Sequence, residues 1–442
     1  MSAPSTTGLS WRLASLSMAM LLPSLGISVA NIALPNLRTA FDVTSQEAQW
    51  VVIAYLVVVT ASLVTAGRLG DLLGRKRLLL VGIAIFSLAA LAAVFASSIW
   101  MVVLARAVQG VGAAVMMSLT VAAVSDAVPA ERAGTAMGLL GTVSAVGTAA
   151  GPSLGGLLVG LFGWPAIFLL MAGAGLLAAL LVGTQLPAAT TADGRRPAFD
   201  LPGASALMLT VAAFALATTV SPVTLVNAGL AAVATLGVAV FVAMQRRAAA
   251  PLVQLDLLRH PPVAAGLLSI ALASAIVMTT LVVGPFYLTG VLGLDTATAG
   301  LVMTIGPAVS ALVGLPAGRI VDRRGPGPVS HVGLSALLAG TLAMAILPGA
   351  IGLPGYVCSL VVITSGYALF QAANTTALLA GASKDQRGVI SALLSLGRNV
   401  GLITGASAMG ALFALASDGT AAGGQHGLQL VFAVASGFVA TA

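Results

Sequence analysis

Asp, Glu, Lys and Arg are absent from eleven long stretches of this chain: 13–37, 48–67, 78–105, 107–125, 133–192, 201–245, 260–294, 296–318, 325–383, 399–417 and 419–442. An α-helix crosses the hydrocarbon of a bilayer in about 20 apolar residues, and lipid offers the backbone no hydrogen-bond partner. Stretches of this length and polarity therefore read as spanning helices. Three of them hold two spans each, with turns at Gly163-Trp164-Pro165, Ser221-Pro222 and Leu353-Pro354-Gly355, which brings the expected number of spans to fourteen. A soluble fold is excluded. Charged residues make up 7% of the 442 residues, whereas a water-facing surface takes about 25–35%. The 51 glycines and 20 prolines fit a membrane bundle, where neighbouring helices re-satisfy the backbone groups that such residues free.

Basic residues collect in cytoplasmic loops, so their places orient the chain. With the N-terminus inside, Arg12, Arg68, Arg75, Lys76, Arg77, Arg132, Arg195, Arg196, Arg246, Arg247, Arg259, Arg319, Arg323, Arg324, Lys384 and Arg387 all fall on the inner side. Only Arg38 falls outside, and Arg106 and Arg398 lie within the fourth and thirteenth spans. The net charge of +7 is thus a topology signal, and nucleic acid drops out as a partner. The expected location is the plasma (cytoplasmic or inner) membrane, multi-pass, with a cytoplasmic N-terminus. The first span, about 13–36, is longer than the apolar core of a signal peptide and reads as retained. Residues 187–200 and 246–261 are the only inner loops long enough to be linkers. They divide the chain into a six-helix bundle at 1–190, an inserted helix pair at 200–245 and a second bundle at 260–442, whose last helix, from Leu428, looks short.

A repeat supports the two bundles. Gly67-Arg68-Leu69-Gly70-Asp71-Leu72-Leu73-Gly74 shares G-R-x-x-D-x-x-G with Gly318-Arg319-Ile320-Val321-Asp322-Arg323-Arg324-Gly325 at an offset of 251. At an offset of 254, Gly134, Leu139, Leu140, Gly147, Gly151 and Gly156 correspond to Gly388, Leu393, Leu394, Gly401, Gly405 and Gly410. Two matches at nearly one offset indicate duplication. The shift is eight spans, an even number, so the copies face one side of the membrane, as parallel repeats do.

Several segments then carry a family resemblance. Gly67 to Arg77 (GRLGDLLGRKR), Leu104 to Gly110 (LARAVQG), Gly147 to Gly156 (GTAAGPSLGG), Phe286-Tyr287-Leu288 with Gly293, Gly300 and Pro307, and Phe370-Gln371 with Asn374 together resemble the major facilitator superfamily. Within it, the chain is similar to the fourteen-helix drug:proton antiporters over nearly its whole length. The resemblance implies an all-α polytopic membrane protein with the major facilitator fold, two six-helix bundles plus the inserted pair. It implies multidrug or metabolite efflux, protons as the coupling ion, membrane lipid as surroundings, a small-molecule substrate and a monomer. It also implies a gating loop that latches the cytoplasmic side, made by Gly67, Asp71, Gly74 and Arg75 with its second copy at Gly318, Asp322 and Gly325. The bland alternative is a tight positive-inside turn.

An arginine within a span is costly unless it meets a cavity or a partner. Arg106, Gln109 one turn on, and Arg398 are therefore coupling or substrate candidates, against the alternative that each arginine merely snorkels or bonds to carbonyls. Tyr367, Gln371 and Asn374 form a polar stripe at i, i+4 and i+7, and with Asn31 and Tyr287 they are candidates for a central cavity. Gly147, Gly151 and Gly155 share one helix face with Pro152 beside them and Gly156 next. They serve as close packing, as a hinge and seal suited to exchange, or as both.

One place departs from the resembling family. Its first helix usually carries L-D-x-x-x-x-N-x-A-L-P, and here Leu25 to Pro35 keeps the frame with Gly26 where the acid belongs. All twelve acids map to loops or span ends, and Glu47 and Asp126 are the nearest peripheral proton carriers. Two intramembrane arginines without an intramembrane acid favour neutral or anionic cargo over cationic dyes. Single Cys358 and the scattered His260, His331 and His426 supply no metal cluster, and no nucleophile, base or nucleotide loop appears. The expectations are no cofactor, no metal site and no catalysis. The leading reading is an exporter working by alternating access. The alternatives are an uptake or metabolite facilitator on the same scaffold and, remotely, a membrane enzyme or receptor.

Overall fold

The computed structural model of the chain describes residues 6–127, 133–186, 201–219, 225–248, 251, 258–380, 387–417 and 420–441. Among these it forms sixteen α-helices, one π turn and no strand. The first half holds α1 (Thr6–Ile32), the short α2 (Leu34–Phe41), α3 (Ser45–Leu73), α4 (Arg75–Val94), α5 (Ile99–Ala127), α6 (Ala133–Phe162) and α7 (Pro165–Gln185). Two helices follow, α8 (Leu201–Thr219) and α9 (Leu225–Arg247). The second half holds α10 (Pro261–Gly290), α11 (Thr296–Arg324), α12 (Pro326–Ile351), α13 (Leu353–Ala380), α14 (Arg387–Thr404), the π turn Gly405–Met409, α15 (Gly410–Ala416) and α16 (Ala421–Thr441).

Eleven helices among the described residues are long and apolar enough to cross a membrane, and the protein is a multi-pass membrane protein. The expected fourteen is not reached by that measure: Val146–Phe162 and Ser205–Ala217 are shorter apolar helices, and α16 (Ala421–Thr441) is not among the eleven. Two local expectations are corrected. The last helix does not begin near Leu428; Gly423 and Gly424 are buried inside α16, where Gly424 packs against Val291. The turn before α13 is made by Gly352 at φ 63, and Leu353-Pro354-Gly355 already belongs to the helix.

The repeat is visible in the geometry. Thr44 and Asp295, 251 apart, each cap the helix that leads into the glycine–acid motif. Thr44 makes a capping box with Glu47, and Asp295 accepts from the backbone N–H groups of Ala297 and Thr298 at 3.0 Å. The Thr298 hydroxyl and these N–H groups hold the Asp295 carboxyl below the usual carboxylate range. The cap is therefore complete at neutral pH and is lost as pH falls through that lowered value. At the other end of the same two helices, Gly74 (φ 88, ψ 124) and Gly325 (φ 80, ψ 159) each close one helix and open the next. That conformation is open to glycine and strained for any side chain. Gly74→Ala and Gly325→Ala are each expected to lower stability by about 1–2 kcal/mol, read as thermal unfolding of the purified protein. Unchanged unfolding in both would contradict a shared strained turn.

Helix contacts are doubled in the same way. α1 packs on α6 as α10 packs on α14, α4 on α5 as α12 on α13, α3 on α5 as α11 on α13, and α4 on α7 as α12 on α16. Glycine permits the closest of these. A Cβ at Gly147 would lie 2.7 Å from the Leu21 carbonyl, and one at Gly401 would collide with the Ala271 carbonyl. Gly151 meets Ser28 and Val29, and Gly405 meets Ala275 and Met278. Without a hydrophobic drive between helices in lipid, such close packing is what holds a bundle together. The inserted α8 and α9 pack on each other, and α8 also rests on α3 of the first half and on the π turn of the second.

The halves meet at the face opposite the two motif turns. There α6 lies along α11. A Cβ at Gly156 would sit 2.8 Å from the Thr296 carbonyl and 3.0 Å from the Gly300 Cα, and Gly300 in turn presses on the Pro152 carbonyl. Nearby, Thr296 Oγ1 donates to Asn36 Oδ1 at 3.4 Å, and Gln49 of α3 packs against Gly410 of α15.

Candidate substrate pathway and its fixed core

Arg106 is wholly buried on α5. Its Nε donates to the Val51 carbonyl of α3 at 3.0 Å, one terminal nitrogen donates to the Gly26 carbonyl of α1 at 2.7 Å, and the other donates to Gln109 Oε1 at 2.6 Å. The Tyr55 ring lies 4.0 Å from the guanidinium carbon, and the Tyr55 hydroxyl donates to the Pro23 carbonyl at 3.0 Å. Gln109 reaches on to Met171 of α7, its Nε2 3.6 Å from the sulfur. Charge-assisted bonds to carbonyl oxygens and the negative face of an aromatic ring make a desolvated guanidinium tolerable. One side chain therefore ties α1, α3 and α5 together, and through Gln109 it reaches α7. Arg106 and Gln109, the coupling or substrate candidates of the first half, are both enclosed by protein here, and the arginine bonds to carbonyls as the alternative reading had it.

Gly26 now has a physical account. A Cβ there would lie 3.2 Å from the Tyr55 hydroxyl and 3.5 Å from the Phe86 ring. The room that a side chain would need is filled by these two rings, and the guanidinium takes the backbone carbonyl instead of a carboxylate.

Three other candidates for the cavity are also turned inward. Asn31 has no exposed surface, and its Nδ2 donates to the Ile27 carbonyl of its own helix at 2.8 Å. Tyr287 is buried, donates to Gln425 Oε1 at 2.9 Å and stacks on Tyr356 with ring centroids 5.9 Å apart. Asn374 is buried and donates to the Gly266 carbonyl at 2.9 Å, tying α13 to α10. Asn31 Oδ1 is buried with no partner among the described residues, and the helix carbonyls that accept from Asn31 and Asn374 leave no trace in a sequence.

The remaining polar candidates are open. Tyr367 is half-buried with its hydroxyl 3.2 Å from Ser274 Oγ, and Gln371 and Arg398 are half-buried with no hydrogen-bond partner among the described residues. Glu47 is spent on its capping box, where Oε2 accepts from the Thr44 N–H at 2.8 Å. The S/T-x-x-E spacing of Thr44 and Glu47 was a readable signal for that role. In the motif loops, Asp322 is exposed and Arg75 half-buried, while the surroundings of Gly67 and the side chains of Asp71 and Asp126 lie outside what the structure describes. Lys76, beside Arg75, donates to the carbonyls of Gly183 and Leu186 and so closes the end of α7. Sequence reasoning missed Tyr55, Met171 and Gln49. Tyr55 and Met171 act only through contacts between distant helices, and Gln49 carries no local pattern.

No group of three or more His, Cys, Asp or Glu among the described residues is placed to hold a metal. What the arrangement offers is a rigidly pinned first half, a second half with open polar groups, and a seam of small residues between them.

That architecture is shared with known transporters. Residues 16–406 match the Major Facilitator Superfamily, and the chain belongs to that family. It is therefore a membrane transporter and not an enzyme. Among its relatives, the riboflavin transporter RibZ of Clostridioides difficile is 27% identical, over 88% of this chain and 84% of its own. The multidrug efflux pump LfrA of Mycolicibacterium smegmatis is 29% identical, over 93% of this chain and 82% of its own. The fold is that of a bacterial homolog to the human lysosomal transporter Spinster, solved in an inward-facing and unoccupied conformation. The TM-score is 0.74 at 15% identity, over 99% of this chain and 95% of that one.

Proposed function

We propose that this protein exports small amphipathic organic compounds across the cytoplasmic membrane by proton-coupled alternating access. In this reading it is a monomer with fourteen spans and a cytoplasmic N-terminus. Bundles 1–190 and 260–442 rock about a central cleft, and the helix pair 200–245 rests on both. The glycine–acid loops, with Asp71, Gly74 and Arg75 in the first copy and Asp322 and Gly325 in the second, latch the cytoplasmic side when it is closed. The observation that carries the reading is the contact of α6 with α11 at Gly156 and Gly300, where backbone lies against backbone. Such a surface parts and re-forms at little cost. The similarity to LfrA supports efflux. The similarity to RibZ favours a second reading, a metabolite facilitator on the same scaffold.

Proteoliposomes with an imposed pH gradient, loaded with a panel of anionic, neutral and cationic compounds, separate the two. Exchange predicts outward movement of cargo that accelerates several-fold when protons flow the other way. With Glu47 occupied as a helix cap, Asp126 is the proposed proton carrier, so Asp126→Asn is expected to remove the acceleration and leave downhill movement. Transport indifferent to the gradient in the unaltered protein would favour the facilitator.

A further inference from the structure

We infer that Arg398, with Gln371 and the Tyr367 hydroxyl, forms a binding subsite for an anionic group of the cargo, a carboxylate or another oxyanion, on the second half of the transporter. This rests on the transport reading and names the substrate class that reading leaves open.

The place follows from contacts with α10. On one side of α10, Tyr367 and Asn374 of α13 reach Ser274 and the Gly266 carbonyl. On the other, Gly397 and Gly401 of α14 lie against the Leu267 and Ala271 carbonyls. Gln371 stands between Tyr367 and Asn374, and Arg398 stands beside Gly397. Both therefore sit at the same level of the bundle, on two helices that touch each other. Arg398 is eleven residues into α14, about 16 Å from its start at 1.5 Å per residue.

The direction follows from helical spacing. On α14, Ser395 and Arg398 lie three residues apart on one polar face, while Leu396, Val400 and Ile403 make an apolar stripe on roughly the opposite side. In a membrane bundle the apolar stripe belongs to lipid or packed protein and the polar one to a wetted cleft.

Among the described residues the charge is unmatched. Arg398 has no partner among the described residues, whereas Arg106 spends donors on three acceptors. The duplication sharpens the contrast: at the offset of 254, Arg398 corresponds to Ser144, which bonds across to Ser24 Oγ at 2.7 Å. The second half thus carries a cation where the first carries a satisfied hydroxyl. An arginine fork, an amide and a phenol together match an oxyanion. No carboxylate falls inside any of the sequence-read spans to answer that charge or to receive a cationic drug.

The test is equilibrium binding to the full chain in lipid nanodiscs, using 2-naphthoate, 2-naphthamide and 2-naphthyltrimethylammonium, which share an aromatic body and differ in charge. The unaltered protein is expected to bind the carboxylate about tenfold or more tightly than the amide, and the ammonium least. Arg398→Gln is expected to bring the carboxylate down to the amide's affinity and leave the amide within about twofold, since only the charged contact is removed. Arg398→Lys, which keeps the charge and loses the fork, retains part of the preference and decides the matter where the Gln variant fails to fold. Failure of the unaltered protein to prefer the carboxylate, or a preference that survives Arg398→Gln, overturns the subsite. Outward movement of cargo in proteoliposomes is scored separately, so a transporter that exports but shows no such preference refutes the subsite and leaves the export reading standing.

Discussion

Arg106→Ala is expected to cost about 3–5 kcal/mol, comparable to emptying the site of a large buried side chain, and to abolish transport with it. The physical reason is the enclosure of the guanidinium by α1, α3 and α5. Truncation leaves a void beside Tyr55 and strands Gln109 Oε1 without its donor. Arg106→Lys keeps the charge, but a single ammonium cannot reach three acceptors spread over three elements, so an intermediate loss of about 1–3 kcal/mol is expected. Arg106→Met is the informative substitution. It fills most of the volume and buries no charge, and the Gly26 and Val51 carbonyls lie in helices whose own hydrogen bonds remain. Gln109 Oε1 still loses its donor, so stability should fall by about 1–3 kcal/mol, less than in Arg106→Ala, and transport should follow the amount of folded protein. Thermal unfolding and transport measured on the same preparations check this. A Met variant that is stable yet inactive would return Arg106 to the coupling machinery.

The second large effect belongs to the seam. Gly300→Leu places four carbons where the Pro152 carbonyl and the Gly156 Cα already touch. Overpacking of this kind costs about 1–3 kcal/mol. Here the clash lies between two bodies that can separate, so the protein relieves it by opening that face. A bias of about 3 kcal/mol changes the ratio of closed to open forms by roughly a hundredfold. Reagent labelling of a cysteine placed at Asn36 should rise accordingly, with unfolding temperature little changed. Gly401→Leu is the contrast. Its side chain meets the Ala271 carbonyl inside one half, where no rigid-body motion relieves it, so the loss appears as instability and not as labelling. If both substitutions behaved alike, the division into two moving bodies would lose its support.

Much of this was legible before any coordinates. Charge-free stretches reported the membrane, and the matches at 251 and 254 reported the duplication. The glycines at 147, 151, 401 and 405 found their partners on α1 and α10 because close backbone approach requires glycine, and glycine is visible in a sequence. The roles of single polar residues were not legible. Arg106, Asn31 and Asn374 bond to main-chain carbonyls, and every residue has one, so no spacing marks the acceptor. Gly26 looked like a missing acid. Its reason lies in Tyr55, Phe86 and Arg106, brought together from three other helices. Pattern also misread the glycines of α16 as a loop, because a buried small residue and a flexible one look the same without their neighbours.

The central claim is that the face joining α6 to α11 must part in every transport cycle. An ideal Cβ at Gly160 lies 3.6 Å from the Ala297 Cβ, within the range of about 3.5–4.5 Å that a disulfide spans. With Cys358→Ser to remove the only native thiol, the Gly160→Cys/Ala297→Cys protein should cross-link readily under mild oxidation. Transport in proteoliposomes should then fall to background and recover on reduction. Full transport by the cross-linked protein would show that this face never opens, and the account would fail.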